Sequence, residues 1–466
     1  MSKIFFKKIL LFIIKKKYYY ILAIIYRFFI VERLSNGKSK LIHSNVNNCT
    51  TILALDSDRY RGDLEALASS PLLRVLCIRS KWQGLLIGLL YEKDKINALD
   101  YSRAMPGDNL FDNIKEPAQE FMCEFLTVLF SMVKVSCVTT VSYRYIEDSD
   151  WALASEKLGI PYIMLYRECL LSKGLRFYHD VVQRHKKFKF FGSHIIVHND
   201  TCKESFVESS FLDEKKISVV GALRMDKYLT TIKGNNQSRR TDNTRRQFVL
   251  FYFPYNMSLF GKQGTPPLNY KYKYAFSIWP YRKEYFRDVH SAIVELSIEY
   301  PEIDFIIKPK NIMIEDVSWK FYEKILDEMN FNKDKASNYF VESNANVHDL
   351  IFDSDAVCAL QTSTAIEASI AGKPVILPIF ENYRSTKNYQ DFLWRQYLEL
   401  FDVADNKRHF KDLIIRSMSC SVVNEKTLSK RKKIFKKFFN DLDGTSLNRY
   451  VEIIINIANT KSSTVK

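Results

Sequence analysis

The chain has 466 residues, of which 47% are hydrophobic and 26% charged, and its formal net charge is +16. This length suffices for two domains with separate cores, and the composition excludes bulk disorder. The eight cysteines are scattered without a C-x-x-C pair, which excludes a disulfide framework and a cysteine zinc site and suits a reducing compartment. Neither a Walker A string nor a G-x-G-x-x-G after a predicted strand is present, which disfavours kinases, ATPases and dehydrogenases.

The positive charge is concentrated near the two ends of the chain. Residues 1–31 carry seven Lys and Arg and no acid, and residues 429–437, SKRKKIFKK, carry six. These two stretches hold 13 of the 16 net charges and leave the rest of the chain close to neutral. Two basic patches on a near-neutral body indicate an anionic lipid surface as partner and no nucleic acid.

The N-terminal stretch interleaves its lysines with apolar and aromatic residues. Its longest run without charge, residues 18–26, is about half of what a membrane-spanning helix requires, and no signal-peptide cleavage site follows. We therefore expect residues 1–48 to be a membrane-associating segment and linker, with a basic amphipathic N-terminal helix that lies in the membrane interface. This places the protein peripherally on the cytoplasmic face of the inner membrane. The alternative is a first helix that packs on the protein's own core. The same alternative applies to residues 429–437, whose charges would then cover a solvated helix face.

Strands alternate with helices over residues 49–232. Apolar runs predict strands at residues 51–55, 75–78, 135–141, 162–166, 194–197 and 217–220, and helical spacing predicts helices at 117–133, 151–158 and 201–208. This alternation predicts a parallel, doubly wound sheet. The polar residues 233–247 are the expected linker, residues 248–428 a second domain of the same kind, and residues 429–466 basic C-terminal helices.

Residues 354–378, SDAVCALQTSTAIEASIAGKPVILP, are the most informative segment. They predict a buried strand at 356–360, a polar turn, a short helix at 365–371 and a second strand at 375–377. A Ser/Thr-rich turn at a helix N-terminus suits phosphate, because backbone N–H groups and the helix dipole point at the anion. Glu367, one turn deeper, is placed to accept hydrogen bonds from ribose hydroxyls. The alternative is a capping box, with Thr364 as the cap and Glu367 reaching back to it.

This segment resembles the donor-binding motif of GT-B glycosyltransferases that build bacterial surface polysaccharides such as capsule and O-antigen. It also resembles the related CDP-glycerol glycerophosphotransferases. The matching residues are Asp355, Ser363, Thr364, Glu367, Ala368, Gly372, Lys373, Pro374, Val375 and Ile376. Three further segments match in the right order: FVLFYFP at 248–254, DFIIKPK at 304–310 and DLDGTSLNRYVEIII at 441–455. The histidine that usually follows the basic-Pro element of the second segment is replaced by Lys310-Asn311.

The resemblance implies an α/β fold of the GT-B type, with two Rossmann-like doubly wound domains facing across a cleft. It implies that the C-terminal domain binds a nucleotide-sugar donor and that a lipid-linked glycan is the acceptor. The expected donor-binding residues are Lys308, Thr362, Ser363, Thr364, Glu367 and Arg224. Helix dipoles and cations would stabilise the leaving diphosphate, so we expect no cofactor and no essential metal.

Glu168 is the first candidate for the catalytic base. It follows the predicted strand 162–166, at the carboxyl end where doubly wound sheets bind their ligands, and a carboxylate there can deprotonate an acceptor hydroxyl. The alternative is a loop ion pair with Arg167 or Arg176. In glycerophosphotransferases this strand ends in a Trp-His-Gly string whose histidine is the base, so Arg167-Glu168 argues against that activity in the strict sense. Further candidates for the cleft are Arg167, His198 and Asp200.

These patterns favour a glycosyltransferase that moves a sugar from a nucleotide-sugar to a lipid-linked surface polysaccharide. One alternative is a CDP-alditol (glycerol or ribitol) phosphotransferase, which would use the same fold. A sugar-nucleotide 2-epimerase is a second, although the basic N-terminus counts against it. A third is a non-catalytic, membrane-associated scaffold of a polysaccharide assembly complex.

Overall fold

The computed structural model describes residues 3–42, 49–143, 146–234, 245–251, 282–309, 317–420 and 422–462. It divides the chain into two compact units: residues 1–230 with 437–466, and residues 231–436. Each unit contains one sheet with helices packed on it, and each is described by itself.

The first unit contains an eight-stranded sheet. Its strands are β1 (Ile30–Arg33), β2 (Ser39–Leu41), β3 (Thr50–Ala54), β4 (Leu73–Ile78), β5 (Cys137–Thr140), β6 (Tyr162–Leu165), β7 (His194–Val197) and β8 (Ile217–Val219). Their order in the sheet is β2-β1-β4-β3-β5-β6-β7-β8. β3 to β8 are parallel, whereas β1 and β2 are antiparallel additions at one edge. Every residue of β4 is buried, as expected for a strand that is covered on both faces.

The helices of the first unit cover both faces of this sheet. They are α1 (Lys3–Lys15), α2 (Tyr19–Phe29), α3 (Asp63–Leu67), α4 (Ser80–Leu90), α5 (Ala98–Arg103), α6 (Glu116–Val133), α7 (Ile146–Lys157), α8 (Arg176–His185), α9 (Asp200–Glu208), most of α10 (Met225–Gly234) and α19 (Ser446–Ser462). One core contains Tyr26, Phe125 and Trp151 from α2, α6 and α7. A second core is closed by α19, through Tyr450 and Ile454.

The basic N-terminal segment forms two helices, α1 and α2, where the sequence predicts one. Leu10 on α1 and Leu22 and Tyr26 on α2 are buried in the first core. The Tyr26 hydroxyl donates to the Trp82 carbonyl oxygen at 3.0 Å, and the Phe29 ring stacks on Trp82 with centroids 3.6 Å apart. The inner side of this segment is therefore part of the domain, and membrane association of its outer side stays a prediction. Among the described residues, no helix is long and apolar enough to span a bilayer.

The second unit contains a six-stranded, all-parallel sheet. Its strands are β9 (Arg246–Leu250), β10 (Ile303–Ile307), β11 (Tyr339–Val341), β12 (Ala356–Cys358), β13 (Val375–Pro378) and β14 (Asp402–Ala404). The order β11-β10-β9-β12-β13-β14 is the 3-2-1-4-5-6 order of Rossmann domains. Its helices are α11 (Arg282–Glu299), α12 (Val317–Glu328), α13 (Val347–Asp353), α14 (Ser363–Ile370), α15 (Glu381–Arg384), α16 (Lys387–Gln390), α17 (Lys407–Ser419) and most of α18 (Glu425–Phe439).

These two sheets confirm the predicted α/β class with two Rossmann-like domains. Of the expected linker, residues 235–244 lie outside the described residues, whereas Lys233 belongs to α10 and Arg246 begins β9. The basic stretch 429–437 lies in α18, and its lysines are exposed. Arg431 is an exception to the solvated-face alternative, because its buried guanidinium donates to the carbonyl oxygens of Leu400 and Lys373, each at 2.8 Å.

Candidate functional site

The N-terminus of α14 lies at the point where the strand order of the second sheet reverses. β9 pairs with β10 on one side and with β12 on the other, and Leu250 at the end of β9 is in register with Cys358 at the end of β12. α14 follows β12 after a four-residue turn. Parallel sheets bind ligands at the carboxyl ends of their strands beside such a reversal. The fold therefore places the Ser/Thr-rich turn where a Rossmann domain holds a nucleotide.

Thr362 is the N-cap of α14. Its Oγ1 accepts from the Thr364 backbone N–H at 3.4 Å. Thr364 is 7% exposed, whereas Thr362 and Ser363 are partly accessible. The capping-box alternative is therefore wrong, because it required Thr364 as the cap and the helix begins before that residue. Glu367 lies one turn inside the helix.

Glu367 is a buried carboxylate that faces a histidine. Its side chain is 4% exposed, and its Oε2 lies 3.5 Å from His348 Nε2. His348 is the second residue of α13, whose N-cap Asn346 accepts from the His348 N–H at 2.8 Å. A carboxylate at this depth needs polar partners, because burial of an unpaired charge is costly. His348 supplies one such partner, and sequence reasoning missed it because no local motif connects α13 to α14.

Lys308 follows β10 and contacts the segment that leads into α13. Its ammonium group donates to the carbonyl oxygens of Pro309 at 2.9 Å and Ser343 at 2.8 Å. Burial lowers the pKa of this partly buried lysine, and Glu342 acts in the opposite direction. Residues 343–348 therefore connect Lys308 with His348, and through His348 with Glu367. The predicted contact of Lys308 with phosphate stays a prediction.

Two other residues of the matching motif have structural roles. The Lys373 ammonium group donates to the carbonyl oxygens of Phe352 at 2.9 Å and Ser354 at 2.6 Å, which ties β13 to the end of α13. Asp355 accepts from Arg246 Nη1 at 2.8 Å and from the Gln247 N–H at 2.7 Å, which ties β12 to β9. These contacts hold the strand–turn–helix segment in place without reaching its turn.

The predicted catalytic residue of the first unit, Glu168, is exposed on the loop after β6. Its neighbour Arg167 is mostly buried and forms an ion pair with Asp63, with Arg167 Nε 3.2 Å from Asp63 Oδ2. Arg167 also donates to the Arg59 carbonyl oxygen at 2.6 Å. Both contacts hold Arg167 against the segment that follows β3. Sequence reasoning did not anticipate Asp63 as its partner.

Arg167 and Arg224 are electrostatic neighbours at the carboxyl edge of the first sheet. Burial lowers the pKa of Arg167, and Arg224 and Arg61 lower it further. Asp63 and Glu168 raise the pKa of Arg167. Arg224 belongs to the first unit and follows β8, and its predicted contact with the donor stays a prediction. This edge of the first sheet therefore brings arginines and carboxylates close enough to act on one another.

His198 and Asp200 follow β7 and differ in exposure. His198 is buried, and its backbone N–H donates to the Cys169 sulfur at 3.4 Å. Asp200 is the exposed first residue of α9, whose N-cap is Asn199. Of the two, only Asp200 presents its side chain to solvent. Within the described ranges, no group of three or more His, Cys, Asp or Glu side chains has the arrangement of a metal site.

Comparison with protein-family models and with curated proteins gives no match. Among solved structures, the chain is similar to UDP-GlcNAc 2-epimerase from Neisseria meningitidis, at 12% identity and a TM-score of 0.46, over 87% of this chain and 100% of that one. It is similar to UDP-GlcNAc 2-epimerase from Methanocaldococcus jannaschii, at 14% identity and a TM-score of 0.47, over 87% and 99% of the two chains. It is also similar to the wall teichoic acid polymerase TagF, at 12% identity and a TM-score of 0.44, over 89% and 90%. At these identities and TM-scores the similarity assigns no activity to the chain.

Proposed function

We propose that this chain is a nucleotide-sugar-dependent glycosyltransferase of the GT-B type, which transfers a sugar to a lipid-linked surface polysaccharide. The observation that supports this proposal most is the start of α14 at the strand-order reversal of a Rossmann sheet, with Thr362 and Ser363 accessible and Glu367 one turn deeper. This arrangement offers hydroxyls, backbone N–H groups and a helix dipole to the phosphates, and a carboxylate to the sugar of a nucleotide.

In this proposal the second unit binds the donor. The diphosphate lies at the N-terminus of α14, where Lys308 adds positive charge. Glu367 accepts hydrogen bonds from the ribose hydroxyls, and His348 keeps the carboxylate in place. The leaving diphosphate is stabilised by these groups without a metal ion.

The first unit provides the general base for the acceptor. Glu168, exposed on the loop after β6, takes the proton of the acceptor hydroxyl while the acceptor oxygen bonds to the anomeric carbon of the sugar. The bond from that carbon to the diphosphate oxygen breaks in the same step, and the nucleoside diphosphate leaves.

The released nucleotide separates this activity from its alternatives. Purified protein is incubated with a panel of nucleotide-sugars, CDP-glycerol and CDP-ribitol, together with lipid-linked glycans extracted from membranes. A glycosyltransferase releases a nucleoside diphosphate and places the sugar in the lipid fraction. A CDP-alditol phosphotransferase releases CMP, and an epimerase converts the sugar without releasing nucleotide. Either of these two results would overturn the proposal, and absence of nucleotide binding would favour the scaffold.

A further inference from the structure

The outer sides of α1 and α2 form an exposed aromatic surface. Seven of the fifteen exposed large apolar side chains in the described part of the chain lie between Phe5 and Phe28. Phe5 and Phe12 on α1 are 55% and 56% exposed, and Tyr20 and Phe28 on α2 are 65% and 69% exposed. On each helix the two residues are seven or eight positions apart, which places them on one side of that helix. We call these side chains, with the exposed lysines between them, the outer face.

The two helices are joined at their turn by aromatic contact. The Phe12 ring packs edge-on against Tyr18, with centroids 6.2 Å apart, so the exposed aromatics of α1 continue into those of α2. The chain then passes directly from α2 into β1, which pairs with β4. The outer face therefore belongs to a pair of helices that is built into the first unit by its inner residues and by a strand.

The outer face is cationic and contains no acid of its own. Lys8, Lys16 and Arg27 are exposed among the aromatics, and the first carboxylate of the chain is Glu32. Among the carboxylates of neighbouring elements, Asp94 accepts from Lys7 at 2.7 Å and Glu92 pairs with Lys95 at 2.6 Å. Glu120 and Glu124 on α6 act on Tyr19, whose ring packs against Phe121 and is not one of the outer-face side chains. Exposed aromatics interleaved with cations are the pattern of a surface that enters the headgroup region of an anionic membrane.

The lengths of α1 and α2 fit a position along the membrane surface and do not fit a position across the bilayer. α1 has 13 residues and α2 has 11. At about 1.5 Å per residue neither reaches the ~30 Å thickness of a bilayer core, so both would lie along the interface.

We propose that the outer face of α1 and α2 docks the first unit on an anionic lipid bilayer while the inner face stays packed in the core. Phe5, Phe12, Tyr20 and Phe28 enter the headgroup region, and Lys8, Lys16 and Arg27 pair with lipid phosphates. The surface is a fixed part of the domain, so binding requires no detachment of the helices. The docking stands on its own observations, and only its purpose, which is to bring the domain to a lipid-linked acceptor, rests on the proposed function.

The test uses the full chain and a triple variant of the outer face, Phe12→Ser with Tyr20→Ser and Phe28→Ser. Co-sedimentation is measured with vesicles of phosphatidylcholine alone and with vesicles that contain about one third phosphatidylglycerol. Because all three side chains are exposed, the thermal unfolding midpoint should stay at the wild-type value. Phe177→Ser, at an exposed phenylalanine on α8 of the same unit, is the matched control.

Wild type should bind the anionic vesicles more tightly than the neutral ones, and added salt should weaken this binding. The triple variant should bind at least about tenfold more weakly, and Phe177→Ser should bind like wild type. In a second variant, Lys8→Gln with Lys16→Gln should also weaken anionic binding by about tenfold or more, because each surface lysine contributes about a fivefold factor.

Three outcomes would overturn the docking proposal. The first is a folded wild type that does not bind anionic vesicles, and the second is a folded triple variant that binds them like wild type. The third is wild-type self-association that the triple variant loses, without any vesicle binding, which would assign the outer face to a second copy of this chain. Vesicle binding requires no donor and no turnover, so an absence of transferase activity would leave this test unaffected.

Discussion

Glu168 and Arg167 are adjacent on the loop after β6 but differ in their surroundings. Arg167 is mostly buried and paired with Asp63, whereas Glu168 is exposed. Asp63 is the ion-pair partner of the guanidinium, and Glu168 also acts on it electrostatically, so the loop ion pair of Glu168 with Arg167 stays an alternative prediction. An exposed carboxylate at the carboxyl end of a parallel strand is placed to meet a substrate.

Substitution of Glu168 by Gln keeps the shape of the side chain and removes its basicity. If Glu168 is the general base, turnover should fall by about 10²–10⁴-fold. Nucleotide affinity should stay at the wild-type value, because the donor-binding residues belong to the second unit. Steady-state transfer rates and nucleotide titrations measure the two effects separately. Glu214→Gln, at an exposed carboxylate of the same unit, is the control and should leave both unchanged.

At the scale of elements, the exit of β8 is built around a glycine that α19 approaches closely. Gly221 has φ of +114°, and a Cβ at this position would lie 2.9 Å from both the Phe439 carbonyl oxygen and the Ser446 Oγ. The Tyr450 hydroxyl donates to the Gly221 carbonyl oxygen at 3.1 Å, and Arg449 Nη2 donates to the Val220 carbonyl oxygen at 3.2 Å. The start of the C-terminal helix is thus fixed to the strand that precedes Arg224.

Gly221→Ala should therefore destabilise the first unit. The backbone conformation disfavours any side chain, and the added methyl group would also meet a backbone oxygen, so the free energy of unfolding should fall by about 2 kcal/mol or more. Denaturant unfolding measures this loss. Gly234→Ala is the control, because nothing lies within 4 Å of the position that its Cβ would occupy. Equal stability of the two variants would contradict the close approach of Phe439 on α18 and Ser446 on α19 to this glycine.

A histidine on β7, which pairs with β8, makes the stability of the folded chain depend on pH. His194 Nε2 lies 2.9 Å from the Ser218 Oγ on β8. Burial, together with the charge of Lys216, lowers the pKa of His194 to about 4. In the unfolded chain the pKa of this histidine is about 6.5. Between about pH 6.5 and pH 4 the unfolded chain therefore binds a proton that the folded chain does not bind. The stabilisation is therefore present above about pH 6.5 and is lost as the pH falls towards 4.

His194→Gln should remove this part of the pH dependence. Between pH 7 and pH 4.5 the wild type should lose roughly 1–2 kcal/mol more of its free energy of unfolding than the variant loses. Denaturant titrations at the two pH values measure the difference. His179→Gln, at an exposed histidine on α8, should lose as much as wild type. Equal losses of stability in the wild type and in His194→Gln would contradict the lowered pKa of His194.

At the scale of the whole molecule, local patterns predicted the sheets well and long-range contacts poorly. Residues 354–378 contain apolar runs and a Gly-Lys-Pro stop, and the structure has a strand, a helix and a strand there. The N-cap of that helix is Thr362 instead of Thr364, and the preceding strand β12 already ends at Cys358. Both threonines have a side chain that can cap a helix. Sequence periodicity could not distinguish the two.

The partners of the candidate site residues were beyond sequence analysis. The contact of His348 with Glu367 and the ion pair of Arg167 with Asp63 join residues from separate elements. No spacing in the sequence encodes such contacts, since they depend on which loops meet at one edge of a sheet. The burial of the inner side of α1 and α2 has the same origin, because it depends on α6 and α4 being present to cover it.

The second unit is proposed to bind a nucleoside diphosphate through the N-terminus of α14 and Glu367. The most direct measurement is the thermal unfolding midpoint of wild type, Glu367→Ala and the control Glu381→Ala with UDP, CDP, GDP, dTDP and CMP. For wild type, a diphosphate at about 100 times its Kd should stabilise the folded protein by about 2.7 kcal/mol, and CMP should stabilise it less.

Glu367→Ala should bind that diphosphate about tenfold to a hundredfold more weakly, because the ribose loses a charged acceptor worth roughly 1.5–3 kcal/mol. Glu381→Ala, at an exposed carboxylate on α15, should match wild type. A wild type that no nucleoside diphosphate stabilises, or a folded Glu367→Ala variant that matches it, would contradict the claim.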